Sequence, residues 1–380
     1  MSYLKKAIAK LNQALSTILR ADERLDEIKI NQGTPGLLPS KDLATVRYRH
    51  EQGRRGVRPP SGVGGLHARR GSQQAPTITQ ATMSDLRVAE EAKKSAEVPL
   101  LSNLRRKAGG RYLQLSEGLT YLVDEGHEEN PTILLLHGAT VPHWEFDRLV
   151  PHLRAAGYRV VRFDLFGHGL SDRPAVRYDF ELFLGQALAV VQALCTTRPL
   201  TILGHSFGAA IAAAIATERP TAVDRLVLVA PLLDFMAGSV WAKAFALPGI
   251  GGPLMRWIGL PGLERRRERR YAAIGAEHLT PRFVAEARAP GYAEALASMF
   301  ANRTLGDQRE RYRRLRSVEC EIVVVAGAAD RVVPLRDVAH IRAMLPHHRY
   351  LEIADAEHNL LLTHPEFAAA ALAPECRGAA

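Results

Sequence analysis

Between residues 200 and 217 the chain passes from a short, largely apolar strand into an alanine-rich helix through Gly204-His205-Ser206-Phe207-Gly208, with no loop between them. Leu200 to Gly204 reads as a strand buried on both faces, and Phe207 to Thr217 as a helix. A strand that feeds directly into a helix needs a sharp backbone reversal, and the glycines at 204 and 208 leave room for a strained turn. Such a turn lifts the Ser206 side chain above the sheet and presents the free N–H groups of the helix start to any negative charge beside it. Glycine-rich strand-to-helix turns also bind phosphates, but this spacing matches neither the phosphate-loop nor the dinucleotide pattern.

The same alternation runs through the text from Arg111 onward. Strands are expected at Tyr112 to Leu115, Leu119 to Val123, Thr132 to Leu136, Arg159 to Leu165 and Arg225 to Val229, with helices near Trp144 to Ala156 and Phe180 to Cys195. After about ninety residues the pattern resumes with strand Glu321 to Ala326, helix Leu335 to Met344, strand Arg349 to Ile353 and a last helix near Pro365 to Leu372. Strands alternating with helices define the α/β class, a mostly parallel central sheet flanked by helices. Ligands on such sheets bind beyond the carboxyl ends of the strands. Two of those ends carry titratable groups: Gly327-Ala328-Ala329-Asp330 after one strand, and Ala354-Asp355-Ala356-Glu357-His358 after the next.

The elbow at Ser206, the strand ending in His137-Gly138-Ala139 and the loops at Asp330 and His358 together resemble the α/β-hydrolase family, over roughly residues 110 to 373. The order Ser, acid, His is the family's. The resemblance implies a capped serine hydrolase, carboxylesterase- or lipase-like, with Ser206 as nucleophile, His358 as base and Asp330 orienting the histidine. It also implies an oxyanion hole formed by the N–H groups of Ala139 and Phe207, with Gly204, His205 and Gly208 shaping the elbow. The segment Phe163 to Asp172 is similar to the family's glycine-rich loop, and a structural role is expected for Asp164. Glu357 and Ala209 stand where family members commonly carry glycine. His137, His205 and His364 are competing bases, and Asp234 a competing acid. A serine at the elbow argues against the branches that use aspartate there.

The expected activity is hydrolysis of small, largely apolar carboxylic esters through an acyl-enzyme, with no cofactor and no metal. The alternatives are hydrolysis of a carbon–carbon bond in ring-cleavage products, and a non-catalytic binding protein on a hydrolase scaffold.

The interruption, residues 234–318, reads as a helical cap over the site, and residues 106–233 and 319–380 as the core. Trp241, Phe245, Leu247, Met255, Trp257, Ile258 and Leu260 are candidates to line an apolar pocket or to hold the cap together. The run from Glu264 to Arg270 carries five arginines and reads as a solvated helix face, or as a surface for an anionic substrate or membrane.

Composition bears on the front of the chain. The net charge of +10 resides in residues 1–110, which hold 20 Lys+Arg against 10 Asp+Glu, while the remainder balances. Leu4, Ile8, Leu11, Leu15 and Ile18 mark an amphipathic helix over residues 1–30, and residues 31–105 read as a low-complexity, basic, disordered linker. The basic segment lacks aromatic interleaving or a recognition motif, so no specific nucleic-acid partner is expected; a membrane or protein contact through the first helix is a second reading. No secretory-type leader and no long apolar run stand out, so a cytoplasmic protein is expected. The cysteines, Cys195, Cys320 and Cys376, have no metal-type spacing.

Overall fold

The computed structural model describes residues 47–48, 105, 108–194, 196, 198–237 and 239–373. The helix expected over residues 1–30 lies outside the described residues, as does the expected linker apart from residues 47–48 and 105.

An eight-stranded, mostly parallel sheet organises the chain, and Arg47–Tyr48 (β1) adds a two-residue strand at one edge. The others are β2 (Arg111–Gln114), β3 (Leu119–Glu125), β4 (Thr132–Leu136), β5 (Arg159–Phe163), β6 (Leu200–His205), β7 (Val223–Val229), β8 (Glu321–Gly327) and β9 (Arg349–Ile353). Their spatial order is β1-β9-β8-β7-β6-β4-β5-β3-β2. The run from β5 through β4, β6, β7 and β8 to β9 is parallel, whereas β2 and β3 close one edge and β1 the other with antiparallel pairings.

The strand alternation splits the core in two. Leu134 and Leu136 of β4 join Ile202, Leu226 and Val324 on one face, and Ile133 and Leu135 join Leu203, Val227 and Val323 on the other. The first face is covered by α2 (Phe180–Leu194), α3 (Phe207–Glu218) and α10 (Leu335–Met344), the second by α1 (Val150–Ala155) and α12 (Phe367–Leu372). Helix α3 is buried on every side from Phe207 to Ala216, so its alanines let it lie close against the strands.

Between β7 and β8 the chain forms a helical insertion: α4 (Val240–Phe245), α5 (Gly251–Leu254), α6 (Leu260–Ala273), α7 (Thr280–Ala287), α8 (Tyr292–Ala301) and α9 (Arg309–Arg314). Phe245, Met255, Leu260, Tyr271, Phe283, Tyr292 and Met299 extend the first core from the sheet into this insertion. Leu247 and Trp257, by contrast, are 50% and 76% exposed, so neither lines an enclosed pocket.

Two expectations change in detail. The helix expected over Trp144 to Ala156 is a short 3-10 turn, His143–Phe146, followed by α1, because Pro151 fits the first turn of a helix but not its interior. Arg105, within the expected linker, is ordered: Nη2 pairs with Asp172 Oδ1 at 2.6 Å and Nε donates to Leu170 O at 3.0 Å. Among the described residues no helix is long and apolar enough to cross a membrane.

Candidate active site

Ser206 stands where β6 becomes α3, with φ 52° and ψ −113°, outside the comfortable range of an L-residue. Neighbouring strands hold that geometry: the Ser206 N–H donates to Val229 O at 2.9 Å, and Ser206 O accepts from Ala209 N at 3.1 Å and Leu232 N at 3.1 Å. Both elbow glycines are sterically required. A Cβ on Gly204 would lie 2.3 Å from Gly208 O, and one on Gly208 would lie 2.1 Å from Leu136 O. The Phe207 N–H, first in α3, has no acceptor within the helix.

Asp330 and His358 lie in the loops that follow β8 and β9. Asp330 Oδ2 is 2.8 Å from His358 Nδ1, and both side chains are buried. Asp330 Oδ1 accepts the N–H groups of Val332 at 2.8 Å and Val333 at 2.9 Å, which leaves Oδ2 for the histidine. Burial raises the pKa of Asp330, but the bond to His358, its charge and the two N–H donors together hold the carboxyl below its ordinary value. Burial also dominates at His358 and pushes it below its ordinary value; Asp330 opposes this, while the charges of His205 and Arg267 reinforce it. Among the described residues no hydrogen bond joins Ser206 Oγ to His358, a contact that often tightens only when substrate binds.

The segment after β4, His137-Gly138-Ala139, where an oxyanion donor was expected, is held by buried hydrogen bonds. His137 Nε2 accepts the Leu165 N–H at 2.9 Å, which places the proton on Nδ1, and Nδ1 donates to Gly138 O at 2.7 Å. In the trans peptide Gly138–Ala139 this directs the Ala139 N–H away from His137. With both nitrogens engaged by backbone, His137 is not placed to act as a base; burial further keeps it neutral. Ala139 O is bound by His168 Nε2 at 3.0 Å.

Glu145 is the principal omission from the sequence reading. Its Oε1 accepts the Gly138 N–H at 2.8 Å and faces His205 Nδ1 at 3.1 Å, while His205 Nε2 is 3.2 Å from the carbonyl of His358. His205 thus spans the distance between Glu145 and the histidine loop, its ring 4.9 Å from that of His358. Burial raises the pKa of Glu145, but the charge and hydrogen bond of His205 outweigh that and keep the carboxyl lowered.

The remaining candidates have local roles. Asp234 Oδ1 caps a turn by accepting from Met236 N and Ala237 N, each at 3.0 Å. His364 pairs with Thr363 Oγ1 at 2.8 Å and Asp355 Oδ1 at 3.2 Å. Asp164 shapes the glycine-rich loop: it accepts from His143 N, His143 Nδ1 and Leu170 N, and a Cβ on Gly169 would lie 2.0 Å from its Oδ2. Burial opposes its ionisation, yet these partners bring Asp164 down to about 2. Among the described residues no group of His, Cys, Asp or Glu is placed to hold a metal ion.

Helix α6 faces the site as well as solvent. Arg267 Nη2 donates to Thr140 Oγ1 at 2.9 Å and Nη1 to Asn359 Oδ1 at 3.1 Å, while Arg265, Arg266 and Arg269 are exposed. Only part of the arginine run is therefore a solvated face.

A strained serine at a strand-to-helix elbow, beside a buried Asp–His pair on an α/β sheet, is the arrangement of a hydrolase. The model of the alpha/beta hydrolase family matches residues 133–371, and the chain belongs to that family. It is similar to 2-hydroxymuconate semialdehyde hydrolase from Pseudomonas sp. (strain CF600), 28% identical over 218 residues, covering 54% of this chain and 72% of that protein. The human serine hydrolase-like protein is 39% identical over 106 residues, covering 27% of this chain and 51% of that protein. Among solved structures, a hydrolase from Pseudomonas aeruginosa PA01 shares the fold with a TM-score of 0.56 at 24% identity, over 70% of this chain and 97% of the other.

Proposed function

We propose that the protein is a serine hydrolase that cleaves carboxylic esters of small substrates through an acyl-enzyme. The observation that supports this most is the Asp330–His358 contact at 2.8 Å beside an elbow whose geometry forces Ser206 into a strained, projecting conformation. Asp330 binds Nδ1–H and leaves the lone pair of His358 on Nε2, the tautomer a base requires. His358 takes the Ser206 proton as Oγ attacks the ester carbonyl, and the tetrahedral oxygen is stabilised by the N–H groups of Ala139 and Phe207. His358 then protonates the departing alcohol, activates water, and the water opens the acyl-enzyme. The insertion acts as a cap, and Arg267 fastens it to the loops on both sides of the reacting centre. The proposed setting is the cytoplasm, with a tether through residues 1–30 as a separate possibility.

A second reading, hydrolysis of a carbon–carbon bond in a ring-cleavage product, draws on the similarity to 2-hydroxymuconate semialdehyde hydrolase. It would use the same three residues.

Fluorophosphonate labelling of the native chain, Ser206→Ala and His358→Ala, with turnover of p-nitrophenyl esters, tests the first reading. Label lost with Ser206→Ala, together with ester turnover, is the expected result. Turnover of a ring-cleavage dienoate without aryl-ester turnover would favour the second. A folded but unlabelled native chain would point to a binding scaffold.

A further inference from the structure

At the inner face of α6, the Tyr271 hydroxyl and the neighbouring Asn359 Nδ2 are buried without a hydrogen-bond partner among the described residues. Arg267 lies between Thr140 and Asn359, and these residues directly follow Ala139 and His358 in the chain. The guanidinium therefore sits between the proposed oxyanion donor and the proposed base. It uses two of its five N–H groups on neutral oxygens and forms no ion pair with any carboxylate among the described residues. Arg270, one turn on, reaches Glu357 at 3.9 Å and no other carboxylate among the described residues, and Glu357 is half exposed.

Two further donors adjoin this cation. Asn359 Oδ1 is bound by Arg267, and the other amide atom, Nδ2, is buried with no partner. Tyr271, four residues after Arg267 on the same helix face, is fully buried and its hydroxyl has no partner. Burial pushes the Tyr271 phenol up, so it stays protonated and remains a donor. A buried donor without a partner is costly, and water would relieve the two neutral groups while leaving the arginine charge unbalanced.

We infer that Arg267, Asn359 and Tyr271 form a subsite for a carboxylate carried by the substrate, a few bonds from the scissile carbonyl. A carboxylate accepts at several lone pairs and pairs well with the planar guanidinium fork. The inference rests on the reading of Ser206 and His358 as the reacting centre, and it replaces a largely apolar ester with an acidic one. It accounts for an arginine directed inward from a helix on which Arg265, Arg266 and Arg269 meet solvent.

The test compares mono-p-nitrophenyl glutarate with its methyl-capped, neutral counterpart on the native chain, Arg267→Gln and Arg267→Lys. The native chain should prefer the acid by roughly tenfold or more in kcat/KM, the scale of one charge-assisted contact. Arg267→Gln should erase most of that ratio, with Arg267→Lys in between. A native chain that handles the capped ester equally well, or a ratio unchanged in Arg267→Gln, overturns the subsite. As a measurement independent of catalysis and of any variant, glutarate should raise the melting temperature of the native chain and glutaramide should not; equal effects overturn the subsite too. Absence of fluorophosphonate label and of turnover with either ester would instead overturn the reading of Ser206, while the glutarate shift would still decide the anion site.

Discussion

Glu145 Oε1 stands 3.1 Å from His205 Nδ1 and 2.8 Å from the Gly138 N–H, so one buried carboxylate oxygen ties the segment after β4 to the elbow. Both His205 nitrogens face acceptors, Glu145 Oε1 on one side and the His358 carbonyl on the other. Glu145→Ala strands the Gly138 N–H and His205 Nδ1 and should cost about 3 kcal/mol, read from the denaturant midpoint. Glu145→Gln keeps the volume and an oxygen that can still accept the Gly138 N–H, so it should fold and lose less stability and less kcat than Glu145→Ala.

Asp330→Asn removes the acceptor that fixes the tautomer of His358 while leaving shape intact. Nδ1 would then accept and Nε2 would carry the proton. Turnover should fall about ten-thousandfold with little change in the folded structure, checked by burst kinetics alongside circular dichroism.

With His358 as the proposed base, its depressed pKa should set the acid limb of activity. The base works when neutral, so kcat/KM should be present above its folded pKa and be lost as pH falls through it, with the inflection below the ordinary 6.5. Stability follows the same direction. His137, His168 and His358 are all depressed, His168 to about 3, so the unfolded chain takes up protons first as pH falls below 6.5. Each contributes about 1.4 kcal/mol of lost stability per pH unit until its folded pKa is reached. Below the ordinary carboxylate range Asp164, Glu145 and Asp330 add to the loss, Asp164 down to about 2. Urea midpoints between pH 7 and 4 should therefore decline before the carboxylates titrate.

Gly208→Ala places a methyl 2.1 Å from Leu136 O, a backbone atom of the central strand β4. Neither α3 nor β4 has slack, since β4 is buried throughout and α3 is buried from Phe207 to Ala216. The variant should lose about 1–3 kcal/mol and most of its reactivity toward fluorophosphonate.

A strand buried on both faces is a continuous apolar run, which is why β4 falls on the residues expected for it; β9 and α10 also fall on theirs. The loops at Asp330 and His358 were legible because each follows a strand of the alternating pattern, β8 and β9. Glu145 was not: it lies in a stretch read as an ordinary helix, and its partner His205 is sixty positions away. Nor was the split among the arginines of α6, where neighbours identical in type differ only in helical phase. Phase acquires meaning only once the helix is docked, and docking depends on contacts far apart in the chain. Arg105 was hidden similarly, its partners Leu170 and Asp172 lying beyond four strands.

Thr140 is gripped twice from the insertion, its Oγ1 by Arg267 at 2.9 Å and its carbonyl by the Tyr292 hydroxyl at 2.8 Å. The residue before it is Ala139, the proposed oxyanion donor. Lifting the insertion to admit a substrate would therefore slacken the catalytic floor as it raised the roof. Such a protein would be unarmed whenever its door stood open, and would spare water-exposed esters that pass without closing it behind them.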